Sequence, residues 1–202
     1  MAMSYGFLGD KQLAIENFLK AIELSDKNLG PDHPDSADIM ESLAQTYNSI
    51  AQRGKAMNAL QRAKEIKEKQ FGKSDPRLAS TLRDIAYTVF ATGDYSSSYL
   101  YAEQADKLVQ QVRESNPSLV SSVKVLMGSI LSQLGFYDMA LQAYQEALQL
   151  NDKSTNKNTS FYDGSFAGVA KVYEFQGNFA QALAIQDDVA KDSATVFVPL
   201  QQ

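Results

Sequence analysis

The chain has 202 residues, no cysteine, one histidine and a formal charge of −5. Disulfides, thiol catalysis and Cys-ligated zinc are therefore excluded, and an acidic chain without clustered Lys and Arg is not expected to bind nucleic acid. Hydrophobic residues at 44% and charged residues at 21% describe ordinary globular material rather than a disordered tail. The N-terminal stretch MAMSYGFLGDKQ has no basic segment followed by an apolar core, and no apolar run approaches the ~20 residues of a transmembrane helix. A cytoplasmic protein without membrane insertion is the expectation.

Apolar residues recur at helical rather than strand spacing along the whole chain. The first unit, 1–33, reads as partial: a half helix around Ala2, a turn at Gly9, then the helix of QLAIENFLKAIEL. In the second, 34–75, Met40, Leu43, Ala44, Tyr47 and Ile50 form one face of a first helix, a turn falls at Ala51, and a second helix follows. Leu82, Ile85, Ala86 and Val89 repeat that face in the third unit, 76–116, ahead of a turn at Gly93. The fourth unit, 117–159, turns at Gly135. The fifth, 160–193, repeats the face with Phe166, Val169, Ala170 and Tyr173 and turns at Gly177. A tail, 194–202, is too short and too apolar to serve as a polar cap.

The turn glycines Gly9, Gly93, Gly135 and Gly177 lie 84, 42 and 42 residues apart, and halving the long gap places the missing turn at Ala51. Ala14, Ala56, Ser98, Ala140 and Ala182 then fall in one small-residue column, and Ala2, Ala44, Ala86, Gly128 and Ala170 in another. A third column holds Ala21, Ala63, Ala105, Ala147 and the larger Val189. A 42-residue period thus runs through the chain without insertion. Small residues at fixed places let two helix backbones approach closely, and one such hairpin cannot bury its apolar face alone, so neighbours must stack. Departures are local: Ala51 replaces a turn glycine, Arg53 and Gln186 take aromatic columns, and Ser98 and Ala102 stand where Ala and an aromatic are expected.

The histidine-bearing stretch LGPDHPDSA, Leu29 to Ala37, could be taken for a metal cluster of Asp32, His33, Asp35 and Asp38. Its sister junctions carry Asp75-Pro76 and Asn116-Pro117 in nearly the same place. A cap residue followed by proline is the start of a helix, so His33 reads as punctuation and is expected to be replaceable by alanine. The stretch Asn151 to Gly164 has Lys157 where a calcium loop needs Gly and Asp163 where the closing Glu belongs, so it reads as a polar junction. No catalytic residue, metal site or cofactor is expected.

These columns resemble the tetratricopeptide repeat, most closely in the fourth unit with Gly128, Leu131, Gly135, Tyr137, Ala140, Tyr144 and Ala147. The standard period is ~34 residues. The longer period here, with LG-x-x-HP-x-x-A between units, is similar to the kinesin light chain type. The resemblance implies an all-α fold, an α-solenoid of about four and a half to five helical hairpins wound as a right-handed superhelix, forming a single array over 1–202. It also implies that first helices line a concave groove holding a protein or peptide. Positions opposite the core face then give the candidate groove: Asp38, Glu41, Gln45 and Asn48, then Arg83, Tyr87 and Phe90, then Ser129, Lys171 and Glu174.

Two groove chemistries of the family are missing from these positions. A carboxylate clamp of Lys, Asn and Arg would meet Glu41/Gln45 and Arg83/Tyr87, and the adjacent asparagines of kinesin light chains are replaced by Glu41-Ser42, Arg83-Asp84, Val125-Leu126 and Ala167-Gly168. The gradation from acidic to aromatic to small suggests an extended peptide with a basic end near Glu41. The sequence supports a non-enzymatic interaction scaffold. A second reading is a structural or regulatory segment of a larger protein, its groove filled intramolecularly. A first unit lacking half a helix and a last hairpin without a polar cap add an expectation of self-association through uncapped ends.

Overall fold

The computed structural model describes the backbone of residues 2–153 and 159–191, and side chains over 10–150 and 164–186. The 194–202 tail, the side chains of Tyr5, Phe7 and Leu8, the side chain of Val189 and, in the Asn151 to Gly164 junction, the backbone of 154–158 and the side chains of 151–163 lie outside the described residues. The described residues contain nine α-helices and no strand: α1 (Ala2–Leu29), α2 (Pro34–Ser49), α3 (Arg53–Phe71), α4 (Ala79–Phe90), α5 (Tyr95–Val109), α6 (Pro117–Gln133), α7 (Tyr137–Lys153), α8 (Thr159–Phe175) and α9 (Phe179–Lys191). The fold class is all-α, of the helical-hairpin solenoid type. Two compact units are present, Met1–Gln111 and Val112–Gln202.

In the first unit, α2 pairs with α3 and α4 with α5, while α1 packs on α2. The small columns lie where helix axes approach: Ala44, Ala56, Ala63, Ala86 and Ala105 are fully buried. Ile15, Leu43, Tyr47, Leu60 and Ile85 fill the core around them, with Met57 and Val89 packed at its edge. Ser98 enters its column without an unmet donor, because its hydroxyl donates to the Ala86 carbonyl at 2.7 Å. A buried hydroxyl so satisfied is tolerated where a bare one is not.

One expectation fails. No turn forms at Gly9, since α1 runs unbroken from Ala2 to Leu29. In the hairpins, a turn is held by a full first helix packing back on its partner. Residues 2–29 satisfy their backbone groups along one continuous helix, and a glycine inside a helix costs only about 1 kcal/mol, so Gly9 permits a turn without forcing one.

The other turns fall where the period puts them. Gly93, Gly135 and Gly177 have φ of 88°, 82° and 77°, and Ala51 has φ of 59°, the one described non-glycine residue with positive φ. A Cβ in this left-handed region is strained. The same turn leaves Gln52 Oε1 and Arg53 Nε buried without a hydrogen-bond partner among the described residues. Ala51→Gly is expected to stabilise the chain by about 0.5–1 kcal/mol, the relief of strain exceeding the entropy that glycine adds to the unfolded chain. Urea unfolding checks this, and an unchanged or lower midpoint would refute it.

The junctions between hairpins are built from three local devices. Gly30 and Gly72 end α1 and α3 with φ of 97° and 85°. His33 caps α2, its Nδ1 accepting from the Asp35 amide at 3.2 Å. Asp75 accepts from the Arg77 amide at 2.9 Å ahead of a 3₁₀ turn, Pro76–Leu78, and Asn116 accepts from the Leu119 amide at 3.2 Å ahead of α6. Asp75 is also gripped by the Arg77 guanidinium, whose hydrogen bonds lower its pKa to about 2. That guanidinium lies 3.4 Å above the Phe71 ring, tying the end of α3 to the next helix start.

In the second unit, α6 pairs with α7 and α8 with α9, and α7 packs on α8. The Tyr144 ring of α7 is wedged between two helical glycines. A Cβ on Gly128 of α6 would stand 2.7 Å from the ring, and one on Gly168 of α8 would overlap the ring carbons and lie 2.6 Å from the hydroxyl oxygen. The Tyr144 hydroxyl pairs with Ser129 Oγ at 3.0 Å. Burial raises its pKa above the ordinary tyrosine value, against the Ser129 and Ser132 hydrogen bonds that lower it.

Candidate functional site

Hydrophobic burial dictates where the first helices point, and what remains is their opposite face. On α2 the positions Glu41, Gln45 and Asn48 follow the i, i+4, i+7 spacing of one stripe. The structure uses that stripe to join α2 to α4. Glu41 accepts from Lys67 at 2.7 Å, from Ser80 at 3.2 Å and from the Thr81 hydroxyl. Gln45 Nε2 donates to Asp84 Oδ2 at 2.8 Å, and Asn48 Nδ2 donates to Thr88 Oγ1 at 2.8 Å. The result is a polar ladder of three rungs.

This ladder revises the electrostatics expected of the groove. Glu41 has a side chain only 12% exposed and faces the 5% exposed Lys67, so its charge is neutralised within the fold. A basic peptide end would meet the exposed Asp38 there rather than Glu41. Burial pulls the Lys67 pKa down, but the Glu41 charge and hydrogen bonds to Asp38 and Glu41 outweigh it and hold the ammonium above its ordinary value. Asp38 approaches the same ammonium at 2.8 Å while remaining largely exposed.

On α4, Arg83 is held by its neighbour: Nε and Nη2 donate to Asp84 Oδ1 at 2.9 and 2.6 Å. Tyr87, one turn further on, is 51% exposed. Phe90 is half-buried against Tyr95, with ring centroids 5.3 Å apart. The stripe Arg83, Tyr87, Phe90 thus presents an anchored guanidinium and an open aromatic beside the ladder. Tyrosine offers large contact area at low entropic cost and is favoured at interfaces for that reason.

In the second unit the candidates fall into two groups. Ser129 Oγ is engaged with Tyr144 and with the Val125 carbonyl at 3.0 Å. Lys171 and Glu174 form an exposed pair at 2.8 Å, with Lys171 5.2 Å from the Phe175 ring centroid and Gln186 reaching Glu174 at 3.3 Å. The Lys171 hydrogen bond holds the Glu174 carboxyl below its ordinary value.

Spacing alone identifies a face but not which edge of it meets the neighbouring first helix. The signal was nonetheless present as complementary polar residues 39 or 40 positions apart: Glu41 with Thr81, Gln45 with Asp84, Asn48 with Thr88. Among the described residues no group of three His, Asp or Glu side chains could hold a metal ion, and no helix is long and apolar enough to cross a membrane.

Comparison with known proteins agrees with this architecture. Two models of the tetratricopeptide repeat match, one over residues 1–69 and the other over residues 121–154. No curated protein matches the sequence. The chain is similar in structure to BtubC (BKLC) from P. vanneervenii, with TM-score 0.76 and 19% identity over 98% of this chain and 80% of that one. A putative kinesin light chain from Podosopora anserina with nearly identical TPR-like repeats gives TM-score 0.70 and 18% identity, covering 96% of this chain and 92% of that one. MamA protein gives 0.56 and 18%, covering 98% and 97%. At these identities the likeness carries the fold. With the repeat columns, the turn geometry and the matching models in agreement, the chain belongs to the tetratricopeptide repeat family.

Proposed function

We propose that the chain is a cytoplasmic, non-catalytic scaffold that holds an extended protein segment against the open face of α2 and α4. Tetratricopeptide repeats are interaction modules in general, and stacked helical pairs present long surfaces suited to that use. The observation that carries the reading is Tyr87: an aromatic half open to solvent, one turn from an anchored arginine, beside a ladder in which Gln45 and Arg83 are already paired with Asp84. Such a surface fits a segment with apolar side chains for Tyr87 and a carboxylate or backbone carbonyl for Arg83, with any basic end meeting the exposed Asp38 rather than Glu41. Cytoplasmic placement rests on the cysteine-free, acidic composition.

Peptide-array binding with the full chain tests this. Tyr87→Ala is expected to weaken binding at least about tenfold, as for a central aromatic contact. Arg83→Gln is expected to weaken it by a smaller factor, with both variants folded by circular dichroism. Binding unchanged in both variants would sink the assignment.

A further inference from the structure

A second surface lies on α9, away from the α2 and α4 face. In the earlier hairpins the second helix is covered. Met57 of α3 packs on the cluster that includes Ile85 of α4, and Tyr137 of α7 stacks on Phe175 of α8 with centroids 6.1 Å apart. Phe179 stands one 42-residue period after Tyr137 and Leu183 three periods after Met57, and they are 69% and 58% exposed.

Three properties of this face identify what would cover it. Residues 179–186, FAQALAIQ, contain no charged side chain although most are exposed. Charge depletion of this kind marks the centre of an interface rather than a solvated helix. The chain as a whole carries −5, so two copies repel, and a neutral stripe is where they meet with least repulsion. The exposed residues also form two adjacent rows at i, i+4 spacing: large Phe179 and Leu183, small Ala180 and Ala184. Large side chains as knobs and alanines as holes, in equal number, match their own antiparallel copy about a two-fold axis.

We propose that α9 is a homodimerisation surface, pairing with α9 of a second copy through Phe179, Ala180, Leu183 and Ala184. It is independent of the peptide-binding reading, because it uses a different helix and a different partner.

The test uses the full chain and its lack of cysteine. Sedimentation equilibrium from about 1 μM to about 500 μM is expected to show a reversible monomer–dimer transition. Leu183→Glu and Phe179→Asp should each raise the dissociation constant at least about tenfold while helix content is kept, and Tyr87→Ala should leave it unchanged. Under oxidising conditions Ala184→Cys should form a disulfide-linked dimer, and Asn58→Cys, on exposed α3 surface, should not. A monomer throughout the range overturns the proposal. So does a dimer insensitive to both α9 charges. A monomer that Phe197→Asp converts into a dimer overturns it in favour of residues 192–202 as the occupant.

Discussion

The Gly168→Ala variant is expected to lose about 2 kcal/mol of stability, although alanine is the better helix former by ~1 kcal/mol. The added methyl would fall within the Tyr144 ring and 2.6 Å from its hydroxyl oxygen. Tyr144 cannot retreat, because Gly128 lies against its other side and Ser129 holds its hydroxyl at 3.0 Å. Relief therefore requires α8 to move off α7, which opens the buried contacts of Val169 and Val172. Gly128→Ala meets the same ring less deeply and should cost about half as much. A double-mutant cycle with Tyr144→Leu separates this clash from any general intolerance of helix substitution. The double variant should recover most of the loss, giving a coupling energy above about 1 kcal/mol. Gly168→Ala unfolding at or above the wild-type urea midpoint would show that the wedge does not constrain α8.

Glu41→Ala is expected to cost about 2–3 kcal/mol, because it leaves the buried Lys67 ammonium facing only the exposed Asp38. It also removes the acceptor shared by Ser80 and Thr81, so two hydroxyls of α4 lose their partner at once. Asp38→Ala provides the control: that carboxylate is solvated, and its removal should cost less than about 1 kcal/mol. Replacing both members, Glu41→Leu with Lys67→Met, should restore most of the stability, since a desolvated ion pair contributes little beyond an apolar pair of similar volume. The raised pKa of Lys67 means its contribution is fully present below the unfolded value of 10.5 and is lost as pH climbs through the folded value. The neutral range is thus unaffected. Equal losses in Glu41→Ala and Asp38→Ala would show that the ladder is a surface feature.

Both variants probe contacts between hairpins, and these contacts define the candidate site. Because the ladder from Glu41, Gln45 and Asn48 occupies the seam of α2 and α4, Tyr87 is left as the open aromatic of that face, with Arg83 held by Asp84 beside it. A change that loosens the seam should alter how those two are presented to a partner. Peptide binding by the Glu41→Leu, Lys67→Met pair would then report on spacing rather than on charge.

Much of the architecture is local and legible from residue order. The 42-residue columns locate small residues wherever two helices touch, and the register survives even where Ala51 replaces glycine, as its φ of 59° shows. Cap-then-proline pairs at His33, Asp75 and Asn116 mark helix starts because the cap hydrogen bond forms within three residues. The absence of cysteine by itself rules out thiol chemistry and Cys-ligated metal sites, whatever the fold. Tertiary structure alone decided the rest. Gly9 fits the 42-residue turn column yet lies inside an unbroken helix, because glycine permits a turn without requiring one. The pairing of Glu41 with Lys67 and the seating of Tyr144 between two glycines depend on which edges of neighbouring helices meet. A helical period assigns each residue a face, but whether that face meets water, a partner or the next helix is set by distances between elements, and those exist only in the folded chain.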